Sequence, residues 1–271
     1  MKQLVVNADD FGFTRDVNAG IVAAHREGIL TAATLMATGT AFNDAVALAG
    51  ENPSLDIGCH LVLVGSDPYP ATVAGLIRAL LRKRIRVYDE LRAQIEKVIA
   101  AGIAPTHLDT HKHTHLLPPV LEAVARLSDE FRIPWVRRPF DFPMQAAGVS
   151  WTRRAASRGA GYLRRRFKRV LDAHRCRMTD HFAGFRITGQ YDAAELAILI
   201  RSLPEGTTEF MCHPGYCTDE LRAARTRLKE SRAQELKALT SPLVRQTLIE
   251  HGVQLVSYRE LSCYPEHIGA V

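Results

Sequence analysis

The stretch Gln3-Leu4-Val5-Val6-Asn7-Ala8-Asp9-Asp10 is an apolar run that ends in two adjacent carboxylates. Its apolar, β-branched part predicts a strand over residues 3–8, which places Asp9 and Asp10 at the carboxyl end of that strand. Enzymes built as α/β barrels collect their catalytic groups at this end of the strands. Neighbouring carboxylates repel each other unless a cation or a proton divides their roles. An acidic turn or helix cap is the alternative interpretation of the pair.

Outward from this strand, short β-branched runs alternate with amphipathic segments. Helices are predicted over residues 16–28, 42–49 and 86–101, and further strands over 31–38, 56–64, 209–212 and 253–258. This alternation is typical of βα units around a mostly parallel sheet. At 271 residues, 46% of them hydrophobic, the chain has the size of an α/β barrel. We therefore expect a single domain over residues 1–271.

The composition argues against membrane, secreted and redox classes. No run of about 18 apolar residues is present to span a bilayer, and the chain enters a β-like run at once instead of showing a signal peptide. A cytoplasmic protein is therefore expected. The five cysteines are odd in number and form no C-x-x-C pair, so we expect them to be reduced and structural.

Positive charge is concentrated in one segment. Between Arg137 and Arg177 there are twelve Lys and Arg residues against only Asp141 and Asp172, an excess of ten, whereas the whole chain carries +6. The remainder is net negative by four, which disfavours a globally basic nucleic-acid-binding protein. We expect residues 140–180 to form a basic insertion on the active-site face, helical around 161–173.

His60 lies in the apolar run Ile57-Gly58-Cys59-His60-Leu61-Val62-Leu63, which is typical of a buried strand. An imidazole without a partner is costly in such a strand. A hydrogen-bonded core histidine is one interpretation, and a metal ligand is the other if a carboxylate converges on it.

The run from His107 to His115 contains four histidines and one aspartate, all at odd positions: His107, Asp109, His111, His113 and His115. In an extended segment this spacing places all five side chains on one side. A solvated polar face is possible in principle, but this composition favours metal or proton chemistry. One of these imidazoles, with His60 and one aspartate, would form a three-ligand metal site. The spacing does not decide which imidazole.

Two further polar residues follow apolar runs. His213 comes after Glu209-Phe210-Met211-Cys212 and precedes a Pro-Gly turn, so it is expected at the same rim as the carboxylates, either in a proton-transfer role or bonded to the turn. Arg137 ends Trp135-Val136-Arg137, where it could orient a carboxylate, bind substrate or be an ordinary surface arginine.

In chain order, the motifs are Asn7-Ala8-Asp9-Asp10-Phe11-Gly12, Gly58-Cys59-His60-Leu61, His107-Leu108-Asp109-Thr110-His111-Lys112-His113 and Met211-Cys212-His213-Pro214-Gly215. Together they resemble the YdjC-like carbohydrate deacetylase family, which includes chitooligosaccharide deacetylases and a hopanoid-biosynthesis-associated branch. The resemblance covers nearly the whole chain. It implies a modified (β/α) barrel.

The resemblance also implies residue roles. Asp10, His60 and His111 would bind a divalent metal ion, with Asp9 as the general base and His213 as the general acid. The mixed nitrogen and oxygen ligands suit zinc best, and magnesium is the alternative. The implied reaction is hydrolysis of the amide of an N-acetylglucosamine-type sugar, in which the ion supplies Lewis acidity toward water and the acetamide carbonyl.

The basic segment bears on the substrate and on partners. Leu163 and Phe167 interleave with arginines around 164–169, which indicates a helix with one apolar and one basic face. Such a helix suits a lipid-linked amino sugar at an anionic inner membrane face, as the resemblance to the hopanoid-associated branch implies, whereas a chitooligosaccharide needs no cationic surface. A merely solvated helix is the alternative.

Two other functions compete with deacetylation. One is a barrel that the basic segment recruits to membranes or nucleic acid without turnover. The other is hydrolysis of the glycosidic bond of a phospho-disaccharide. That reaction needs two carboxylates on either side of the sugar bond, for which the adjacent Asp9 and Asp10 are poorly placed.

Overall fold

The computed structural model describes residues 1–142 and 151–263, and side chains in all of these except 151–160. Eight strands form one sheet in the order β5-β4-β3-β2-β1-β7-β6, with β8 also paired to β1. The strands are β1 (Lys2–Phe11), β2 (Ala32–Leu35), β3 (Asp56–Leu61), β4 (His107–Thr110), β5 (Trp135–Val136), β6 (His181–Ala183), β7 (Gly206–Cys212) and β8 (Val253–Leu255).

Every strand pairing in the sheet is parallel. β1 lies at the centre because it pairs with β7 along one edge and with β2 and β8 along the other. At the two ends of the strand order, isolated bridges join Trp135 to Arg177 and Asp141 to Phe182. The sheet is thus a curled, barrel-like layer, and the predicted single-domain α/β fold of the modified barrel type is confirmed.

Helices surround the sheet and cover its apolar residues. They are α1 (Arg15–Glu27), α2 (Phe42–Glu51), α3 (Val73–Leu81), α4 (Val87–Ala100), α5 (Pro118–Phe131), α6 (Trp151–Ala173), α7 (Ala193–Arg201), α8 (Asp219–Ala223), α9 (Glu230–Leu239), α10 (Pro242–Glu250) and α11 (Tyr258–Cys263). α1 illustrates the local rules: Thr14 accepts a hydrogen bond from the Val17 amide at its start, and Val17, Ile21 and Ala24 are buried.

The basic segment forms α6, which connects β5 to β6. Phe167 and Leu171 are buried, whereas Arg165 and Arg169 are exposed, so the helix has the apolar and basic faces that the sequence indicates. Residues 143–150 of the predicted insertion lie outside the described residues. No helix within residues 1–142 and 151–263 is both long and apolar enough to cross a membrane.

Two of the predicted strands are shorter in the structure than predicted. The strand predicted over 31–38 is only Ala32–Leu35, and that predicted over 253–258 stops at Leu255. There Ser257 accepts a hydrogen bond from the Glu260 amide through its hydroxyl and begins α11. Helix α3 was not predicted. The helix predicted over 86–101 is confirmed as α4, Val87–Ala100.

Candidate active site

Both carboxylates at the end of β1 reach one cleft, which a regular strand would not allow because adjacent side chains alternate between faces. Asp10 has a φ of 68°, and the pairing of β1 with β2 shifts register between Ala8 and Phe11. A left-handed, non-glycine residue at such a bulge is a strained conformation of the kind that clusters at functional sites. The irregularity brings Asp9 and Asp10 to the same cleft.

Asp10, His60 and His111 lie close enough together to share a metal ion. Asp10 Oδ1 is 3.4 Å from His60 Nε2 and 3.2 Å from His111 Nδ1, and the two nitrogens are 3.3 Å apart. Ligands on a tetrahedral ion at about 2.0–2.1 Å are separated by about 3.3–3.4 Å. Asp10 Oδ1 is also buried without a hydrogen-bond partner among the described residues. The donor set and its spacing therefore fit a divalent cation.

The imidazole of His60 is oriented by a carboxylate behind it. His60 Nδ1 lies 2.7 Å from Asp109 Oδ1, and the Thr34 hydroxyl donates to Asp109 Oδ2 at 3.1 Å. If Nδ1 carries the proton to Asp109, the lone pair of Nε2 faces Asp10 and His111. A carboxylate that fixes the tautomer of a histidine in this way is typical of metal sites.

The second oxygen of Asp10 is held by Arg232, a residue that the sequence did not single out. The Arg232 guanidinium donates through Nη2 to Asp10 Oδ2, and both side chains are buried. Burial raises the pKa of Asp10, but the charge of Arg232 and the nearby imidazoles of His60 and His111 outweigh it and hold the pKa well below its usual value. Asp10 is therefore an ionised carboxylate.

Asp9 belongs to a different ion network, centred on the buried Arg137. Arg137 donates to both oxygens of Asp9, from Nη1 at 2.8 Å and from Nη2 at 2.6 Å, and from Nε to Glu209 at 2.6 Å. Its Nη1 is also 2.6 Å from Asp109 Oδ2. Burial raises the pKa of Asp9, but the charge of Arg137 brings it below its usual range. Arg137 thus orients carboxylates inside the sheet and is no surface residue.

His213 faces Asp9 across the cleft, with Nε2 at 3.9 Å from Asp9 Oδ2. Its amide donates to Glu235 Oε2 at 2.6 Å, and its Nδ1 has no partner among the described residues. Burial lowers the pKa of His213 below its usual value and outweighs the charges of Asp9 and Glu235, which act to raise it. The chain after β7 thereby presents an imidazole beside a carboxylate at the rim of the sheet.

The prediction that the five polar residues of 107–115 share one extended side is wrong. β4 ends at Thr110, and the following turn contains Lys112 and His113 at φ of 53° and 51°. The Thr110 hydroxyl accepts a hydrogen bond from the His115 amide at 3.0 Å, which closes the turn. The alternation of polar residues in the sequence therefore continues into a turn, where alternate residues no longer point to the same side.

The remaining histidines of this run have separate environments. His107 bonds Asn7 Oδ1 at 2.9 Å and stacks on Tyr258 at 4.1 Å between ring centroids. His115 Nε2 bonds the carbonyl of Arg137 at 3.1 Å, so it supports that residue from behind. His113 lines the cleft. Only His111 from this run joins Asp10 and His60.

The cleft has a volume of about 420 Å³ and combines ionisable groups with apolar walls. Asp9, Asp10, His111 and His213 lie along it. Its other lining side chains include Phe13, Met36, Val64, Lys112, Phe185, Met211, Arg225 and Arg227. A concave site with a few convergent polar groups is suited to a small polar ligand.

The chain is similar to known proteins over almost its full length. A family model described as YdjC-like protein matches residues 3–250. A carbohydrate deacetylase from Brevibacillus brevis is 34% identical over 270 residues, covering 96% of this chain and 99% of the relative. A carbohydrate deacetylase from Geobacillus stearothermophilus is 32% identical over 270 residues, covering 94% and 96%.

Solved structures show the same fold. A protein described as a cellobiose-phosphate cleavage protein from Enterococcus faecalis superposes with a TM-score of 0.75 at 24% identity, covering 96% of this chain and 98% of that one. A lactam utilization protein from Thermus thermophilus superposes with a TM-score of 0.50 at 14% identity, covering 94% and 99%. At these identities the likeness is one of fold.

Proposed function

The chain belongs to the YdjC-like protein family, and from this premise we propose that it is a metal-dependent hydrolase that removes the N-acetyl group from an N-acetylglucosamine-type amino sugar. One observation carries the proposal. Asp10 and His111 of the three-ligand set line the same cleft as an Asp9–His213 pair, and the buried His60 completes the set behind them. The relatives of this chain from Brevibacillus brevis and Geobacillus stearothermophilus are named carbohydrate deacetylases, which supports this substrate class.

Asp10, His60 and His111 would hold the metal, and zinc suits the mixed nitrogen and oxygen donors better than magnesium does. When bound, the ion would supply Lewis acidity toward water and toward the acetamide carbonyl. Asp109 and Arg232 act behind these ligands, since each holds one of them by a hydrogen bond or ion pair.

Asp9 would accept the proton of the attacking water. Arg137 keeps this carboxylate ionised and therefore in the form that can accept a proton. His213, once protonated, would donate to the leaving amine. The negative charge of Asp9 at 3.9 Å acts to raise the pKa of His213, but burial outweighs it and leaves that pKa below its usual value. Acetate and a free amino sugar are the products.

Among amino-sugar substrates, the proposed one is a lipid-linked glycoside, with a chitooligosaccharide as the alternative. A second cleft, of about 450 Å³, lies along α6 and is lined by Arg138, Arg164, Arg165 and Lys168 together with Phe140 and Phe167. Lys168 pairs with Asp172, and residues 143–160 contain no Asp or Glu. An amphipathic cationic surface of this kind supports peripheral contact with an anionic membrane.

The test is an acetate-release assay on N-acetylglucosamine oligomers and on N-acetylglucosaminyl lipids in anionic vesicles, with and without chelator. Chelation, His60→Ala and His111→Ala should each lower acetate release by at least about 100-fold, because each removes the metal or one of its ligands. His251→Ala, at an exposed site away from the cleft, is the matched control. Circular dichroism should show that the variants remain folded. Acetate release that chelation leaves unchanged would contradict the proposed metal dependence.

A further inference from the structure

Phe185 is a large aromatic side chain that lines the cleft and remains 55% exposed. It follows β6 directly, on the loop that runs beside the end of β7. Ligand pockets are commonly lined by aromatic side chains, and this ring is open to whatever enters the cleft. We propose that Phe185 is the platform on which the apolar face of a sugar ring stacks in this cleft. The proposal rests on the proposed function and names the contact by which that site holds its substrate.

The loop that carries Phe185 is fixed by a carboxylate. Asp141 Oδ1 accepts a hydrogen bond from the Phe185 amide at 3.1 Å, and Asp141 Oδ2 accepts one from the Arg186 amide at 2.9 Å. The Asp141 side chain is only 11% exposed. It also forms the isolated bridge to Phe182. Asp141 therefore anchors both the strand and the loop, and it is a positioning residue for Phe185.

A close backbone approach fixes the other end of the loop. Gly184 has a φ of 120°, and a Cβ atom there would lie 2.3 Å from the carbonyl oxygen of Met211. Only glycine fits this position without displacing β7. The backbone on either side of Phe185 thus has little freedom, although the ring itself is exposed.

His113 supports one side of the ring. The two ring centroids are 5.1 Å apart at an interplanar angle of 57°. His113 is itself buried, and its Nδ1 makes no hydrogen bond to any residue that the structure describes. The backbone of His113 is left-handed, at a φ of 51°. The buried imidazole therefore packs against one side of the Phe185 ring, whereas more than half of the Phe185 side chain stays open to a ligand.

A pyranose has a face of C–H groups that matches an exposed aromatic ring, and its hydroxyl groups remain free to bond the polar side chains around the cleft. Stacking of this kind acts in the ground state and the transition state alike. Its loss therefore raises KM and leaves kcat nearly unchanged. A raised KM with an unchanged kcat therefore distinguishes a stacking platform from a residue that takes part in the chemistry.

The experiment compares Phe185→Ala and Phe185→Tyr with Ile198→Ala, which truncates a side chain of similar exposure, 57%, on α7 outside the cleft. Acetate release from N,N′-diacetylchitobiose gives kcat and KM. Calorimetry on the chelated protein gives Kd for the same sugar and for cellobiose. Phe185→Ala should raise KM and Kd by about 10-fold with kcat within about twofold, whereas Phe185→Tyr and Ile198→Ala should leave them unchanged.

Asp141→Ala should raise KM as Phe185→Ala does, and the double variant should be no worse than Phe185→Ala alone, because both changes remove the same contact. Unchanged KM and Kd in Phe185→Ala would overturn the proposal. A protein that binds cellobiose through Phe185 but releases no acetate would overturn the proposed function and keep the platform. A wild-type protein that binds neither sugar would overturn both.

Discussion

At the scale of single residues, Asp10 is shared between two kinds of partner. Its Oδ1 faces His60 and His111, whereas its Oδ2 accepts a hydrogen bond from Arg232. This division keeps one oxygen free for a cation and fixes the plane of the carboxylate. The guanidinium of Arg232 lies close to the proposed ion as well, so its orienting effect and its charge act in opposite directions on metal affinity.

We expect orientation to dominate at Arg232. Arg232→Met should weaken zinc binding by about 10- to 100-fold, because Asp10 Oδ2 loses its buried donor and the carboxylate can rotate away. Arg232→Lys should recover part of the affinity. Competition titration with a chromophoric chelator measures it, with Arg225→Met at the exposed cleft wall as control. Zinc binding that is equal or tighter in Arg232→Met would show that charge repulsion is the larger effect.

The sequence predicts part of this site and misses the rest for a clear reason. Asp9, Asp10, His60 and His213 each follow or lie within an apolar strand, so their approach to one rim follows from the parallel sheet. Arg232 lies in α9, where charged and apolar residues are mixed, and its partner Asp10 is 222 positions away. No local pattern separates this buried arginine from its exposed neighbours.

At the scale of elements, α1 touches the loop that carries His213. A Cβ atom added to Gly20 would lie 2.3 Å from the Cα of Gly215. The loop is also tied by the Gly215 amide to the Arg232 carbonyl at 3.2 Å and by the Tyr216 amide to the Asp16 carbonyl at 3.0 Å. The position of His213 therefore depends on a contact between two glycines.

Gly20→Ala should displace this loop, with a loss of about 1–3 kcal/mol in the free energy of unfolding and about 10-fold or more in kcat. Gly50→Ala is the matched control, since Gly50 lies in α2 with nothing within 4 Å of its added Cβ, and it should stabilise the protein by about 0.5–1 kcal/mol. Chemical denaturation and acetate release measure the two effects. Full activity in Gly20→Ala would mean that the loop shifts without moving His213.

Strands are predicted correctly where buried apolar residues determine the sequence pattern. The prediction fails where hydrogen bonds turn the chain without a change in that pattern. The strands at 3–8, 56–64 and 209–212 contain buried apolar residues, and the structure has a strand at each. The histidine run keeps a polar alternation beyond β4, but Thr110 and the left-handed pair Lys112 and His113 turn the chain there. Such a turn carries no glycine or proline signal in the sequence.

At the scale of the whole molecule, the buried neutral histidines couple folding to pH. Burial and the charge of Arg137 lower the pKa of His107 well below its usual value and that of His115 to about 3. Below about pH 6.5 the unfolded chain binds protons at these two sites and the folded protein does not. The stability that they contribute is therefore present at neutral pH and is lost as the pH falls.

Each of the two should cost up to about 1.4 kcal/mol per pH unit, and together about 3 kcal/mol between pH 6.5 and pH 5, because the unfolded chain is already half protonated at each site at pH 6.5. His115→Gln should remove the share of His115 from the pH dependence, about 1.7 kcal/mol over this range, whatever its effect on absolute stability. Urea denaturation across this pH range measures the slope, and His251→Gln at an exposed site is the control. A slope that His115→Gln leaves unaltered would mean that His115 is protonated in the folded protein.

The central place of β1 has a consequence for biosynthesis. Lys2 to Ala8 pair with Gly206 to Cys212, segments about 200 residues apart, so β1 emerges from the ribosome long before its neighbour is translated. Until then Asp9 and Asp10 have neither β7 beside them nor Arg232 to hold them. The proposed active site therefore assembles only after β7 and α9 have been synthesised, and nascent chains that still lack these elements cannot carry out the proposed hydrolysis.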